Sequence, residues 1–227
     1  MIRLAALALG WILFTASPSV AQVFVGRPLP QQGSVEISGG GVFLGGKDLP
    51  DVAAALTRNP GTGTGSLELF QAQGTLTSAL GAQVRVGVYV SPRIIIEGGV
   101  QYARPKVEVR LSEDFEEAET TTASETITSY LFTGSVLYHF GGPQSGFRPF
   151  VAGGGGHVRD VHAGNNVVDT GMEFHAGAGF KWWLTRGRRN RFGLRGDVTA
   201  SVRDGGAGAE DDRHVVPSAA MSLAYLF

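Results

Sequence analysis

From residue 34 to the C-terminus, apolar and polar residues alternate with a period of two, the spacing of strands with two unlike faces. Eight such runs follow one another: 34–46, 76–90, 93–111, 126–140, 147–161, 172–184, 192–203 and 215–227. In the second, Val84, Val86, Val88 and Val90 oppose Gln83, Arg85, Gly87 and Tyr89. In the fourth, Tyr130, Phe132, Val136, Tyr138 and Phe140 oppose Thr133, Ser135 and His139. In the sixth, Phe174, Phe180 and Trp182 oppose Glu173, His175 and Lys181. In the third, the apolar set changes parity near Arg104-Pro105, which predicts a β-bulge, a place where Pro is tolerated. The fifth run is blurred by Gly153–Gly156.

The connections alternate in length. Residues 91–92, 141–146 and 185–190 make short ones; 47–75, 112–125, 162–171 and 204–214 make long ones. Short turns on one rim, long loops on the other and an even number of strands describe an outer-membrane barrel. A soluble sandwich or lipocalin-type barrel also alternates, but its apolar face packs inward. Here the polar face is small and Gly-rich, suited to a narrow interior, and the apolar stripes end in aromatic residues, as lipid-facing strands do. The predicted fold is all-β: an eight-stranded antiparallel up-and-down transmembrane β-barrel after an N-terminal signal peptide.

Arg3, the apolar stretch 4–14 and "SPSVA" (17–21) give that signal pattern, with Ser19 and Ala21 before the cut. The apolar stretch is shorter than the roughly 20 residues of a spanning helix. The expected division is signal peptide 1–21, a short lead 22–33 and a barrel domain 34–227, exported, with both barrel ends on the periplasmic rim. The formal net charge of −1 gives no basic field for nucleic acid, and the absence of cysteine excludes disulfides and thiolate metal sites.

The inward phase collects Glu36, Arg85, Glu97, Glu173, Lys181, Arg195 and Asp197. Charges in a narrow lumen must be paired or wet, so they predict either a network that plugs the barrel or a narrow pore whose pairs exchange. His139 and His175 fall in the same phase. Enzyme chemistry would need a nucleophile beside a base near the outer rim. The candidates are His157, Asp160 and His162, or Asp211, Asp212 and His214 with Ser218, and none forms a nucleophile motif. "GGGG" (153–156) lacks the Lys-Ser/Thr and helix of a phosphate loop. The acidic segment 112–125 lacks the spacing of a calcium loop and reads as a solvated, like-charged loop. Residues 50–59 have the composition of a short helix, and "RGRR" (186–189) that of a basic turn. No cofactor motif is present.

"RPFVAGGGGHV" (148–158), "GGGVFLGG" (39–46) and the terminal "LAYLF" (223–227) resemble the OmpA-like eight-stranded outer-membrane β-barrel family of Gram-negative bacteria. That resemblance implies that Leu223, Tyr225 and Phe227 form the signal read by the barrel-insertion machinery. It also implies a barrel without the peptidoglycan-binding domain of longer relatives. The expected partners are outer-membrane lipid, the insertion machinery and an extracellular ligand of the long loops. The expected role is structural or surface-interaction; the alternatives are a narrow pore or carrier for small solutes, and a lipid-modifying outer-membrane enzyme.

Overall fold

The computed structural model describes residues 30–48, 52–56, 67–112, 121–163, 167–185, 190–206 and 213–227. They form twelve strands: β1 (Val35–Leu44), β2 (Lys47–Asp48), β3 (Val52–Leu56), β4 (Leu67–Leu76), β5 (Ala79–Tyr89), β6 (Ile94–Ala103), β7 (Lys106–Ser112), β8 (Thr121–His139), β9 (Phe147–His162), β10 (Val168–Trp183), β11 (Arg191–Gly205) and β12 (His214–Leu226). Eight of these, β1, β5, β6, β8, β9, β10, β11 and β12, pair antiparallel with their neighbours in that order. The ring closes between β12 and β1, where Tyr225 lies opposite Ile37 and Leu223 opposite Gly39. Closure leaves no unpaired edge, the condition for a sheet in lipid. This is the all-β barrel that the alternation predicts. The signal-peptide segment 1–21 lies outside the described residues.

The faces follow the sequence period. Outward positions such as Val84, Val86, Val136, Phe174, Val198 and Leu223 are exposed; the inward ones beside them are buried or half-buried. Aromatic residues gather near both rims, with Tyr138 on Phe140 and Phe147 on Phe180 at the turn rim, and Tyr102 on Tyr130 toward the loop rim. On β8 the outward stripe runs from Tyr130 to Phe140. That is about 33 Å of strand, or about 25 Å at a tilt near 40°, the height of an outer-membrane apolar band.

Two sequence expectations are corrected here. No bulge interrupts the third run. Ala103 faces Ser129 and Lys106 faces Thr126, three steps on each strand, and the Ile127 amide donates to Pro105 across the gap. The irregularity lies in the neighbour. From Ala103–Gly81 to Val107–Leu76, four steps on one strand meet five on the other, so the extra residue sits near Thr77-Ser78. The faces never exchange. Ile96, Val100 and Tyr102 point outward, and so do Arg104, Lys106, Glu108 and Arg110; Glu97 and Gln101 point inward, and so do Pro105, Val107 and Val109. What inverts is the solvent. Below Arg104 the outside is lipid and the polar side turns in; above it the outside is water and the apolar side turns in.

The second correction concerns the first two long connections. Val52–Leu56 is a strand paired with β4, not a helix, and β4 pairs with β7, which pairs with the first turns of β8. An exposed strand edge favours a further strand, and this outweighs the helix preference of an Ala-rich segment. The acidic segment is only partly loop, because Thr121–Glu125 belongs to β8. Residues 113–120 and 186–189 lie outside the described residues.

Candidate functional site

The alternation sends one side chain in two toward the lumen, where three tiers of polar groups stack. At the turn end, Lys181 Nζ lies 2.7 Å from Glu36 Oε1 and 2.8 Å from Oε2. The Tyr89 hydroxyl donates to the same carboxylate at 3.0 Å. Tyr89, Ile95, Leu137, Phe150, Trp183 and Leu226 fill the surrounding space as one apolar cluster. Arg148, wholly buried, donates to the Pro92 carbonyl at 2.6 Å and stands over the Tyr89 ring. His139 lies among the same rings, 5.7 Å from Tyr89 and 5.5 Å from Phe150.

The middle tier holds two forked ion pairs. Arg195 donates to both oxygens of Glu97, at 2.7 and 2.9 Å, and through Nε to Asp197 at 3.1 Å. Arg85 donates to both oxygens of Asp197, at 2.9 and 3.0 Å. Planar guanidinium forks matched to carboxylates are the geometry that offsets the cost of taking charges out of water. Phe150 closes this tier from below, its ring 5.1 Å from the Arg195 guanidinium. The third tier joins Arg203 to Glu173 at 2.7 Å, with His175 beside Glu173 and bonded to Ser135 at 2.9 Å. Here Gly154 is required: a Cβ there would run into the Gly134 carbonyl and stand 2.9 Å from His175 Nε2. A cavity of about 40 Å³ remains between the upper tiers, bordered by Arg85, Thr133, Glu173, His175 and Arg203. It has room for a few waters.

All seven charges singled out in the sequence therefore face inward and meet in these tiers. Arg148, Arg203 and Tyr89 complete them. Tyr89 shares the polar phase of the second run but carries no charge, and the glycines of the fifth run blur the phase of Arg148. Leu223, Tyr225 and Phe227 lie elsewhere, on the outward face of β12.

The candidate catalytic groups do not converge. His157 points outward, whereas Asp160 and His162 point inward. Ser218 bonds the Thr199 hydroxyl and stands four residues from His214, about 13 Å along the strand. Asp211 and Asp212 lie outside the described residues. Among the described residues no three His, Asp or Glu side chains are grouped to hold a metal ion.

His162 lies above the outward Arg159 that marks the edge of the apolar band, and it sits between two carboxylates. Its Nε2 is 2.9 Å from Asp169 and its Nδ1 is 3.3 Å from Glu125. The hydrogen bond to Asp169 raises the imidazole above its ordinary 6.5; desolvation opposes this, and Glu125 adds to it. A raised pKa stabilises the fold below the unfolded value and loses that contribution as pH rises through the folded value. Hydrogen exchange at the loop-rim ends of β9 and β10 is therefore expected to accelerate from about pH 6 to pH 8 beyond its intrinsic pH dependence. His162→Gln should remove the excess; an unchanged profile in that variant would assign the effect elsewhere.

The chain is similar to several outer-membrane proteins. The family model of the OprF membrane domain matches residues 98–208. The outer membrane protein OprG from Pseudomonas aeruginosa is 14% identical over 87% of this chain and 97% of that one, with a TM-score of 0.54. The N-terminal β-barrel domain of Pseudomonas aeruginosa OprF is 16% identical over 87% of this chain and 100% of its own, with a TM-score of 0.47. The attachment invasion locus protein Ail of Yersinia pestis, in complex with the heparin analogue sucrose octasulfate, is 12% identical over 87% and 100%, with a TM-score of 0.48. No curated protein matches the chain.

Proposed function

We propose that this chain, an eight-stranded outer-membrane β-barrel of the OmpA-like kind, is a closed scaffold that presents its loop-rim strands to the surroundings. The observation that carries this is the filled lumen. Rings and aliphatic groups occupy the turn end, forked ion pairs span the middle, and the remaining space holds only a few waters. A barrel of eight strands is just wide enough for such side chains. The prolongation of β4, β7 and β8 beyond the lipid band supports the presenting role.

In this reading residues 1–21 are removed on export, 22–33 lead into the barrel of 34–227, and the turn rim faces the periplasm. Leu223, Tyr225 and Phe227 engage the insertion machinery. In this reading the barrel is not an enzyme: His157 points away from the inward Asp160 and His162, that pair has no nucleophile motif, and Ser218 stands about 13 Å along the strand from His214.

Planar-bilayer recording of refolded residues 22–227 tests the scaffold. The expected result is silence, with folding verified by heat-modifiable gel mobility. Discrete steps that shift in Glu97→Ala or Arg195→Ala would instead make the protein a narrow pore for small solutes.

A further inference from the structure

The outward surface is not symmetric at the loop rim. Arg104 and Lys106 continue the outward face of β6 and β7 directly beyond Tyr102. Two strands along the same rim, Arg159 stands opposite Tyr130 of β8 and Thr170 of β10. All three cations are exposed, and none has a carboxylate partner among the described residues. On the far side of the barrel the corresponding cation is neutralised: Arg213 Nε lies 3.3 Å from Asp204. The unpaired set therefore belongs to one face.

That face also has a place for a ligand. Thr128, Tyr130, Phe132, Arg159, Val161 and Val168 line a groove of about 520 Å³ on the outside of the sheet. Arg159 is its cationic wall, Phe132 its apolar floor, and the Tyr102–Tyr130 pair borders it at the level where lipid gives way to water. Below the groove the outward positions Gly98, Gly134 and Gly155 lie in one row across β6, β8 and β9. A Cβ on Gly134 would meet nothing within 4 Å. Internal packing does not require that glycine, and the row leaves bare backbone facing the lipid beneath the cations.

We propose that this face binds a phosphorylated glycolipid of the outer leaflet. Its phosphates rest on Arg104, Lys106 and Arg159, its sugar edge on Tyr130 and Thr128, and its acyl chains run down past Phe132 over the glycine row. Anionic headgroups and unpaired rim cations are complementary, and each Lys or Arg at such a surface adds to binding. Arginine forks suit phosphate oxygens in particular. The inference rests on the reading that the loop rim faces outward.

The test uses refolded residues 22–227 in phosphatidylcholine nanodiscs containing diphosphoryl lipid A, with retained lipid A counted by native mass spectrometry. Both leaflets carry the probe, so the result does not depend on which rim faces out. Surface labelling of the loop rim in intact cells tests that orientation separately. The wild-type barrel is expected to retain lipid A. The triple variant Arg104→Gln, Lys106→Gln, Arg159→Gln should weaken retention by about a hundredfold. Arg213→Gln, on the paired side, should leave it unchanged. The substituted side chains are exposed, and heat-modifiable mobility verifies that each variant is folded. Retention that survives in the triple variant, falls equally in Arg213→Gln, or is the same for dephosphorylated lipid A would overturn the proposal.

Discussion

Arg195→Ala is expected to lower the unfolding free energy of the barrel by about 3–5 kcal/mol, measured by urea titration of the refolded protein in lipid vesicles. The arginine is almost wholly buried and makes three charged hydrogen bonds, two to Glu97 and one to Asp197. Without it Glu97 keeps only Arg85 Nε, at 4.0 Å, in a lumen that admits few waters. The cost is chiefly that of a stranded carboxylate. Glu97→Gln added to Arg195→Ala removes that charge and should recover part of the loss. A double variant as unstable as the single one would show that the packing of Arg195 on Phe150, rather than its charge, holds the middle tier.

Deletion of Phe227 is expected to reduce the outer-membrane level of the protein to a small fraction of the full-length value, while lowering the stability of barrels refolded in vitro by no more than about 1–3 kcal/mol. Phe227 and Val35 exchange two backbone bonds, each 2.9 Å, at the last step of the seam. Their loss costs about 1–3 kcal/mol at most, because the rim is wet and water replaces them. Phe227 is 48% exposed and its ring meets that of Tyr225, tilted at 42°, so it holds little of the fold together. A large defect in cells with a small one in vitro assigns the residue to insertion. Equal defects in both settings would make it a structural closure of the β1–β12 seam, and normal cellular levels would remove it from the insertion signal.

The lumen illustrates how far the alternation carries. Glu97 and Arg195 share an inward phase that is visible in the sequence, yet they are 98 positions apart. Their pairing follows from the order of strands around the ring and from the register of each ladder, which no local pattern encodes. Arg148 was legible neither as inward, because the glycines of the fifth run blur its alternation, nor as buried against Tyr89 and Pro92, because its contacts come from β5 and the turn after it. The change near Arg104-Pro105 was legible as a change and misleading as to its cause. A one-residue slip and a passage from lipid to water both exchange the apolar and polar phases of a strand. Only the unbroken pairing of Ala103 with Ser129 and Lys106 with Thr126 separates them.

By itself the sequence determined the number of barrel strands, the face of the side chains in the clearly alternating runs within the lipid band, and the alternation of short and long connections. These depend on a two-residue period and on the demand that every backbone polar group in lipid be paired, both local or universal constraints. The tertiary structure decided which charges meet, how completely the lumen is filled, that strands continue through the first two long connections, and that the unpaired rim cations stand on one face. Those depend on ring closure and register, which set distances between residues remote in the chain.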